Sequence, residues 1–513
     1  MSKQLFSFRT VVGLILLISS TSARADDNSL GGHLKSIFGR VKATLTSLAH
    51  SVQQNAPEVG TTSPISSTPT AALPTTATAN TNAPSTQVPN SCSPIGPQRV
   101  AVILANYDGA PAGTATPNVD YVRELFLGAN HDFSVSDYYK TISSGRTWFS
   151  SVTVLGPYQS PKPFVVDPTV NGGMDTALDQ WETDLVALAS KDQDFTQIDR
   201  VVFLTPNAID ATGASVPMGA GLAAQGICDL DSVNTDGIHR PLAHAWVLAS
   251  TAYLGATADR ITNDPSSLTT DELNAGIRHL QMLDMAPITH ELGHTFGLGH
   301  ANQVNRPQTG YSNQFMNNEI LPGATDTLYE NSYADPFSVM GAGEIQWLNV
   351  AHLTQLGWLD TTTETEEVRS EGTFRIYPLE GAMGTLKGLK IPRVIQSPNE
   401  STVSDLWVEF RQRTSVYDTE LSNTHTTAGA IVHYTNPKQP GPNSMWPFET
   451  VLLNFHPDGQ LVNPYETDLT LTTSWKDDHS MVQIDIVDAT TSYIDVHVSF
   501  VSGTTTPSAV RGF

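Results

Sequence analysis

The segment THELGHTFGLGH, residues 289–300, constrains this chain more than any other part of its sequence. On an α-helix, His290 and His294 lie one turn apart on the same face, and Glu291 projects beside them. Gly297 is a point at which the helix can end, because glycine adopts the left-handed backbone conformation that reverses a chain. The segment therefore predicts a helix, a sharp turn and the return of His300 toward the other two histidines.

Three imidazoles at one point are a ligand set of catalytic zinc, which keeps its fourth tetrahedral position open to water. Zinc lowers the pKa of such a water toward ~7, and a nearby carboxylate can take its proton and deliver it to a leaving amine. A lone histidine on an apolar helix is more often a core residue, but five fixed positions match by chance only about 10⁻⁴ times in a chain of this length. We expect one catalytic Zn²⁺ on His290, His294 and His300, with Glu291 as the catalytic residue.

The pattern HExxHxxGxxH resembles that of the metzincin metallopeptidases, and His290, Glu291, His294, Gly297 and His300 meet it in full. The resemblance implies a second feature, a methionine turn beneath the zinc. The segment YADPFSVMG, residues 333–341, fits this feature and places Met340 40 residues after His300. By resemblance, Met340 forms an apolar floor under the histidines by packing and not by ligation. Ala342 stands where astacins and serralysins carry a tyrosine, which argues against a tyrosine ligand.

Within the metzincins, the sequence is most similar to the gametolysin-like and immune-inhibitor-A-like secreted peptidases. The similar pieces are VSDYY (135–139), SSG (143–145), DP (335–336), LGWL (356–359) and WVEFR (407–411). They spread over about 99–500, most of the ordered chain. Because His300 is the expected third zinc ligand, a thermolysin-like arrangement with a distant glutamate as third ligand is disfavoured.

The hydrophobic pattern changes near residue 360. Apolar runs at 99–104 and 200–204 predict buried strands, and helical spacing at 119–126, 135–142 and 178–188 lies between them, which is typical of an α/β domain. From about residue 361, period-two strands are expected at 373–377, 406–410, 430–434, 481–487 and 493–500. We expect an α+β or α/β metzincin-like catalytic domain at 98–360, followed by an all-β, sandwich-like domain at 361–513.

Residues 1–25 have the features of a cleaved secretory signal peptide: Lys3 and Arg9, an apolar run at 11–18, and a small-x-small site at 23–25. The apolar run is well short of the roughly 20 residues that cross a bilayer. An amphipathic helix is expected at 26–54, either as a pro-segment or membrane contact or docked on its own protein. Residues 55–97 read as a Thr/Ser/Pro-rich linker.

The net charge of the chain limits the classes of partner that it is expected to bind. The chain of 513 residues carries 27 Lys and Arg against 51 Asp and Glu, a net charge of -24 that becomes -27 once the three basic residues of 1–25 are removed. Such a surface repels phosphate backbones, so nucleic acid is not expected as a partner. We expect a secreted, extracellular monomer without a membrane span, with a periplasmic or cell-surface location as the alternative. Its partners would be protein or peptide substrates, including extracellular matrix or cell-surface proteins.

Two cysteines, Cys92 and Cys228, leave two interpretations open. In a secreted chain the default is one disulfide that ties the start of the catalytic domain to a later loop. Alternatively, Cys92 could place a thiolate on the zinc and hold the enzyme latent, as in cysteine-switch metzincins. The flanking sequence NSCSP does not match the matrixin switch, which weakens the second interpretation.

Metzincins bind peptide as an added strand at a sheet edge above the zinc helix. The run HRPLAHAWV, residues 239–247, could be that edge or simply another core strand. His239 and His244 are interpreted as surface residues and not as ligands.

The expected activity is that of a zinc metalloendopeptidase acting on proteins. An adhesin or matrix-binding protein with a structural zinc site is the alternative, motivated by the linker, although a structural site would not need Glu291. Zinc hydrolysis of a non-peptide amide or ester fits the same ligands. Calcium is compatible with a secreted peptidase, but no Asp/Asn run has the spacing of a calcium loop.

Overall fold

The fold is known from a computed structural model that describes most of the chain from residue 93 onward. The described residues are 93–110, 119–128, 133–166, 173–216, 221–223, 230–233, 239–248, 270–304, 330–331, 335–341, 345–396, 401–418, 429–435, 449–453, 471–477, 480 and 482–500. They belong to one compact unit, Val88–Phe513. The predicted signal peptide, the segment 26–54, the linker up to residue 92, and both cysteines lie outside the described residues.

A six-stranded sheet carries the first part of the fold. Its strands are β1 (Gly96–Tyr107), β2 (Thr147–Ser160), β3 (Arg200–Thr205), β6 (Gly221–Ala223), β7 (Leu230–Val233) and β8 (His239–Leu248). The order is β2-β1-β3-β8-β6, and β7 also pairs with β8. Strands β2, β1, β3 and β8 are mutually parallel, whereas β6 and β7 run antiparallel to β8. A small separate hairpin is formed by β4 (Ala208–Ile209) and β5 (Ser215–Val216).

Helices cover both faces of this sheet, because its strands are apolar on both sides. They are α1 (Val119–Leu127), α2 (Val135–Ile142), α3 (Gly173–Ala189) and α4 (Thr270–Thr295), with a 3₁₀ turn at Phe195–Gln197. Along β1, Val100 and Val102 pack with α1, α2 and α4, while Ala101 and Ile103 pack with α3 on the other face. This alternation gives a three-layer α/β arrangement, as the sequence pattern predicts.

The second sheet has seven strands and draws on distant parts of the chain. They are β9 (Ala301–Val304), β10 (Glu330–Asn331), β11 (Thr365–Glu367), β13 (Gly388–Gln396), β14 (Ser401–Glu409), β15 (Ile431–Thr435) and β16 (Thr450–Leu452). Their order is β10-β9-β16-β15-β14-β13-β11. The strands β9 and β10 precede residue 360 and the other five follow it, so this sheet joins both sides of the expected domain boundary. The short helix α5 (Val350–Gln355) lies against β14.

The C-terminal region is rich in β-structure. A third sheet, of four strands, contains β12 (Gly372–Ile376), β17 (Ser474–Lys476), β18 (Val482–Ala489) and β19 (Ile494–Phe500), in the order β12-β19-β18-β17. Apolar side chains of the second sheet, such as Leu406 and Val432, share one buried cluster with Ile484 and Val496 of the third. The two sheets are therefore held together by a common hydrophobic core.

Candidate metal centre

Helix α4 presents the first two histidines and then ends abruptly. His290 and His294 lie in its last two turns, and the helix ends at Thr295. Gly297 has φ of 105°, the left-handed region that the sequence predicts for it. The N–H of Leu298 donates to the carbonyl of Gly293 at 3.2 Å, which closes the helix end. The chain reverses at this point, and His300 follows three residues later.

The three imidazoles meet at one point. Ligand nitrogens of His290, His294 and His300 lie within 4.8 Å of one another. Ring centroids are 4.9 Å apart for His290 and His294, 4.8 Å for His294 and His300, and 5.6 Å for His290 and His300. All three residues are buried, the most exposed being His290 at 7%. A buried three-histidine group of this kind could hold a metal ion.

Hydrogen bonds to the protein backbone fix two of the rings. His290 Nδ1 lies 2.7 Å from the carbonyl oxygen of Val339, and His294 Nδ1 lies 2.8 Å from that of Leu298. A carbonyl oxygen only accepts, so we assign the proton of each ring to Nδ1. The lone pair is then on Nε2, the arrangement in which a histidine ligand is oriented by its other nitrogen. These residues therefore fit a metal ion.

Burial also keeps the histidines unprotonated. It lowers the pKa of His290 to about 4 and, together with neighbouring histidines, that of His300 to about 3. The pKa of His294 is lowered well below its usual value for the same reasons. A neutral imidazole is the form that binds metal, so the site is prepared for a cation at neutral pH.

Glu291 lies beside the histidines and is 5% exposed. Burial raises its pKa well above the usual value for a glutamate. A Cβ atom built on Gly221 of β6 would overlap the Glu291 side chain, so the backbone of this strand lies directly against the carboxylate. The glycine therefore makes room for Glu291 at the edge of the first sheet.

Met340 packs against α4 next to the candidate ligands. It is fully buried, and a Cβ atom built on Gly293 would overlap its sulfur, so the thioether packs against the helix between the two histidines. Segment 335–341 is tied to the site at several points. The Val339 carbonyl accepts from His290, and the Met340 carbonyl accepts from the N–H of Ala301 at 2.8 Å.

A buried arginine holds the end of α4. Both Nη atoms of Arg200 on β3 are used: Nη1 donates to the Thr295 carbonyl at 2.8 Å and Nη2 to the Ser93 carbonyl at 3.1 Å. Its guanidinium carbon lies 3.8 Å from the centre of the Phe296 ring. Burial lowers the pKa of Arg200 to about 9. A cation at a helix C-terminus interacts favourably with the helix dipole.

A second buried arginine, which sequence reasoning missed, holds segment 335–341 from the second sheet. Arg411 donates to the Phe337 carbonyl at 2.9 Å and to Asp418 at 2.7 Å, and it also pairs with Glu380 and Glu409. Burial alone would lower the pKa of Arg411, but Asp418, Glu380 and Glu409 raise it. The sequence signal was the segment WVEFR, in which Glu409 and Arg411 stand next to large apolar residues.

His433 and His352 were also missed. His433 on β15 contacts Asp335 through Nε2 at 2.9 Å, and Asp335 in turn accepts the N–H of Phe337 at 2.8 Å. Although burial opposes protonation, the Asp335 carboxylate raises the pKa of His433. His352 on α5 is fully buried, and its electrostatic effect is among the smaller causes that lower the pKa of His294 and His300.

The strand 239–247, for which the sequence left a substrate-binding edge and a core strand open, is not at a sheet edge. The structure pairs β8 with β3 on one side and with β6 and β7 on the other, so the run 239–247 is the core strand of the alternative interpretation. Its residues Leu242 to Val247 are apolar or small, apart from His244, because both faces of the strand are covered. The expectation that His244 is a surface residue is also wrong: it is 9% exposed and pairs with Glu182 of α3 at 2.8 Å, on the face opposite to α4.

Cys92 and Cys228 lie outside the described residues, and both interpretations of them stay predictions. Within the described residues, no helix is both long enough and apolar enough to cross a membrane. Comparison of the sequence with protein-family models and with curated proteins finds no match.

Proposed function

We propose that this protein is a secreted, zinc-dependent endopeptidase of the metzincin type. The observation that carries the proposal is the buried group of His290, His294 and His300 with Glu291 next to the first of them on the same helix. A metal-binding group without a base would serve structure equally well. The buried carboxylate of Glu291 beside the group adds the base that metal-assisted hydrolysis uses.

Zinc is the metal that the donor set favours. Three imidazoles with an open fourth position are a ligand set of catalytic zinc, and imidazole is a ligand that zinc accepts readily. When bound, zinc supplies Lewis acidity, which lowers the pKa of water and polarises a carbonyl group. His290, His294 and His300 would hold it.

Glu291 transfers the proton of the attacking water to the leaving group. Its carboxylate takes a proton from the attacking water and gives it to the nitrogen of the leaving amine, so one group acts first as base and then as acid. Burial raises the pKa of Glu291, which makes its carboxylate a stronger base. Gly221 keeps the carboxylate in position because the backbone of β6 occupies the space beside it.

The same strand suggests how a peptide would bind. Among the described residues, β6 is the outermost strand on its side of the first sheet, and it lies against Glu291. An extended peptide could add to this edge through backbone hydrogen bonds, which would bring its amide bonds past the carboxylate. This mode of binding favours proteins and peptides over small amides or esters as substrates.

The test is proteolysis by the purified secreted protein. We expect it to cleave casein or gelatin, and we expect phenanthroline to abolish the cleavage. Glu291→Gln should retain zinc and lose about 100-fold or more in kcat, the range of a missing general base. Glu124→Gln on α1, which lies outside the site, is the control for the loss of one carboxylate.

Two outcomes would contradict the proposal. Full activity of Glu291→Gln would remove the assigned mechanism. A zinc-loaded protein that cleaves no protein substrate but still binds matrix or cell surfaces would favour the adhesin with a structural zinc site.

A further inference from the structure

The third histidine is supported differently from the other two. His290 Nδ1 and His294 Nδ1 face neutral carbonyl oxygens. His300 Nδ1 faces a carboxylate: Glu449 Oε1 lies 3.9 Å away. Glu449 comes from the C-terminal region, immediately before β16, and not from the helix or turn that carries the other histidines.

Backbone pairing fixes Glu449 in this place. The N–H of Thr450 donates to the carbonyl of His300 at 3.1 Å, and β16 continues in parallel with β9, Thr450 opposite Ala301. The Thr450 hydroxyl also accepts from the Asn349 side chain at 2.7 Å. Residues 300 and 449 are therefore held next to each other through their main chains.

A carboxylate at this position has a defined effect on a ligating imidazole. It accepts the ring proton, fixes the tautomer and orientation, and raises the basicity of the other nitrogen. A separation of 3.9 Å is longer than a hydrogen bond, so the neutral ring and the carboxylate lie close together without a hydrogen bond between these two atoms. The Glu449 side chain is 33% exposed, and it must move closer to the ring to accept the Nδ1 proton.

We propose that Glu449 is a positioning residue for His300 and that the second sheet thereby takes part in metal binding. The proposal rests on the zinc site of the proposed function and adds to it a residue far from the motif. Glu449 orients the third ligand and strengthens its bond to zinc, without touching the substrate.

The chain offers a matched control. His497 and Glu371 form another histidine–glutamate contact, at 3.7 Å, near the third sheet. Their side chains are 28% and 68% exposed, and none of the described metal ligands lies in that sheet. Glu371→Gln thus makes the same chemical change to a similar pair outside the metal site.

The experiment measures the zinc dissociation constant of the full-length secreted protein by competition with a chelator. Glu449→Gln should weaken zinc binding by about 10-fold to 100-fold, the usual effect of losing such a partner. Glu371→Gln should stay within about twofold, because an exposed pair contributes little. Glu449→Asp keeps the charge with a shorter reach and should fall between wild type and Glu449→Gln. The visible spectrum of the Co²⁺-substituted protein should change in Glu449→Gln and not in Glu371→Gln.

Three results would overturn the proposal: wild-type zinc affinity in Glu449→Gln, equal losses in Glu449→Gln and Glu371→Gln, or a wild-type protein that binds no zinc. If Glu449→Gln fails to fold, Glu449→Asp decides, and wild-type affinity there overturns the proposal. Weaker zinc binding in Glu449→Gln supports it even if the wild-type protein cleaves no protein substrate, a result that would contradict the proposed endopeptidase alone.

Discussion

Two fully buried arginines hold two segments beside the metal centre, and they are stabilised in different ways. Arg200, in the first sheet, holds the end of α4 through carbonyl oxygens and an aromatic ring, and no described carboxylate forms an ion pair with it. Arg411, beside the second sheet, holds segment 335–341 and is paired with three carboxylates. Accordingly, the pKa of Arg200 is lowered and that of Arg411 is raised.

The side of the site that α4 forms and the side that segment 335–341 forms are stabilised by different kinds of interaction. The α4 side is local: the three histidines, the turn and the helix end all lie within the 11 residues 290–300. The other side is assembled from distant segments by buried charges, with Arg411 74 residues from Phe337 and His433 98 residues from Asp335. Buried charges hold a unique arrangement only while every partner is present, since a single unpaired ion is costly.

The largest loss of stability is therefore expected when the charge network around Arg411 is broken. Arg411→Met would leave three buried carboxylates without their cation, and we expect a loss of about 3–5 kcal/mol in the free energy of unfolding. Urea unfolding of the zinc-depleted protein measures it. Zinc affinity should fall as well, because the Phe337 carbonyl loses its donor. A loss below about 1 kcal/mol would mean that the network does not support this segment.

Arg200→Met should cost less, although both arginines are equally buried. It leaves carbonyl oxygens unsatisfied but no charge unpaired, so about 1–3 kcal/mol is expected in the same unfolding experiment. We therefore expect Arg411→Met to lose more stability than Arg200→Met. A larger loss for Arg200→Met than for Arg411→Met would reverse our account of the two sides.

Much of the first side could be predicted from the sequence, and little of the second. His290, His294, Gly297 and the lengths of α1 and α2 follow from local spacing, and the N-cap of α2 is a serine, Ser134, that accepts from the N–H of Asp137 at 3.0 Å. Strand β9 has only four residues, too few for a period-two pattern, so its pairing with β16 was not predicted. The interior place of β8 was left open as one of two interpretations, because an apolar run does not reveal which strands will pair with it.

Gly221→Ala tests the contact between the sheet edge and the carboxylate. The added methyl group would overlap Glu291 and shift it, and a displacement of about 1 Å can cost about 100-fold in rate. We expect kcat to fall while zinc affinity stays near that of wild type. Gly213→Ala is the control for a glycine change where a Cβ atom meets no neighbour, although φ of 84° makes it strained. Unchanged kcat in Gly221→Ala would show that β6 does not position Glu291.

The last expected effect is a dependence of stability on pH. The pKa of His290 is lowered to about 4 and that of His300 to about 3, so in the zinc-depleted protein these rings stay neutral where the unfolded chain is already protonated. The unfolded state then binds more protons, and the free energy of unfolding should fall as the pH drops from about 6.5 toward 4. Replacing His300 with glutamine should flatten this slope in urea unfolding. A slope unchanged by that replacement would contradict the assignment of His300 to the buried group.

The α4 segment with its three histidines and the distant segments held by Arg411 and Glu449 are expected to build one zinc site together. The most direct measurement is the metal content of the secreted protein together with its X-ray absorption spectrum. We expect one zinc ion per chain, bound by three imidazole nitrogens at about 2.0–2.1 Å, and we expect His300→Ala to lose one of them. A protein without zinc, or a ligand shell that His300→Ala leaves unchanged, would contradict the claim.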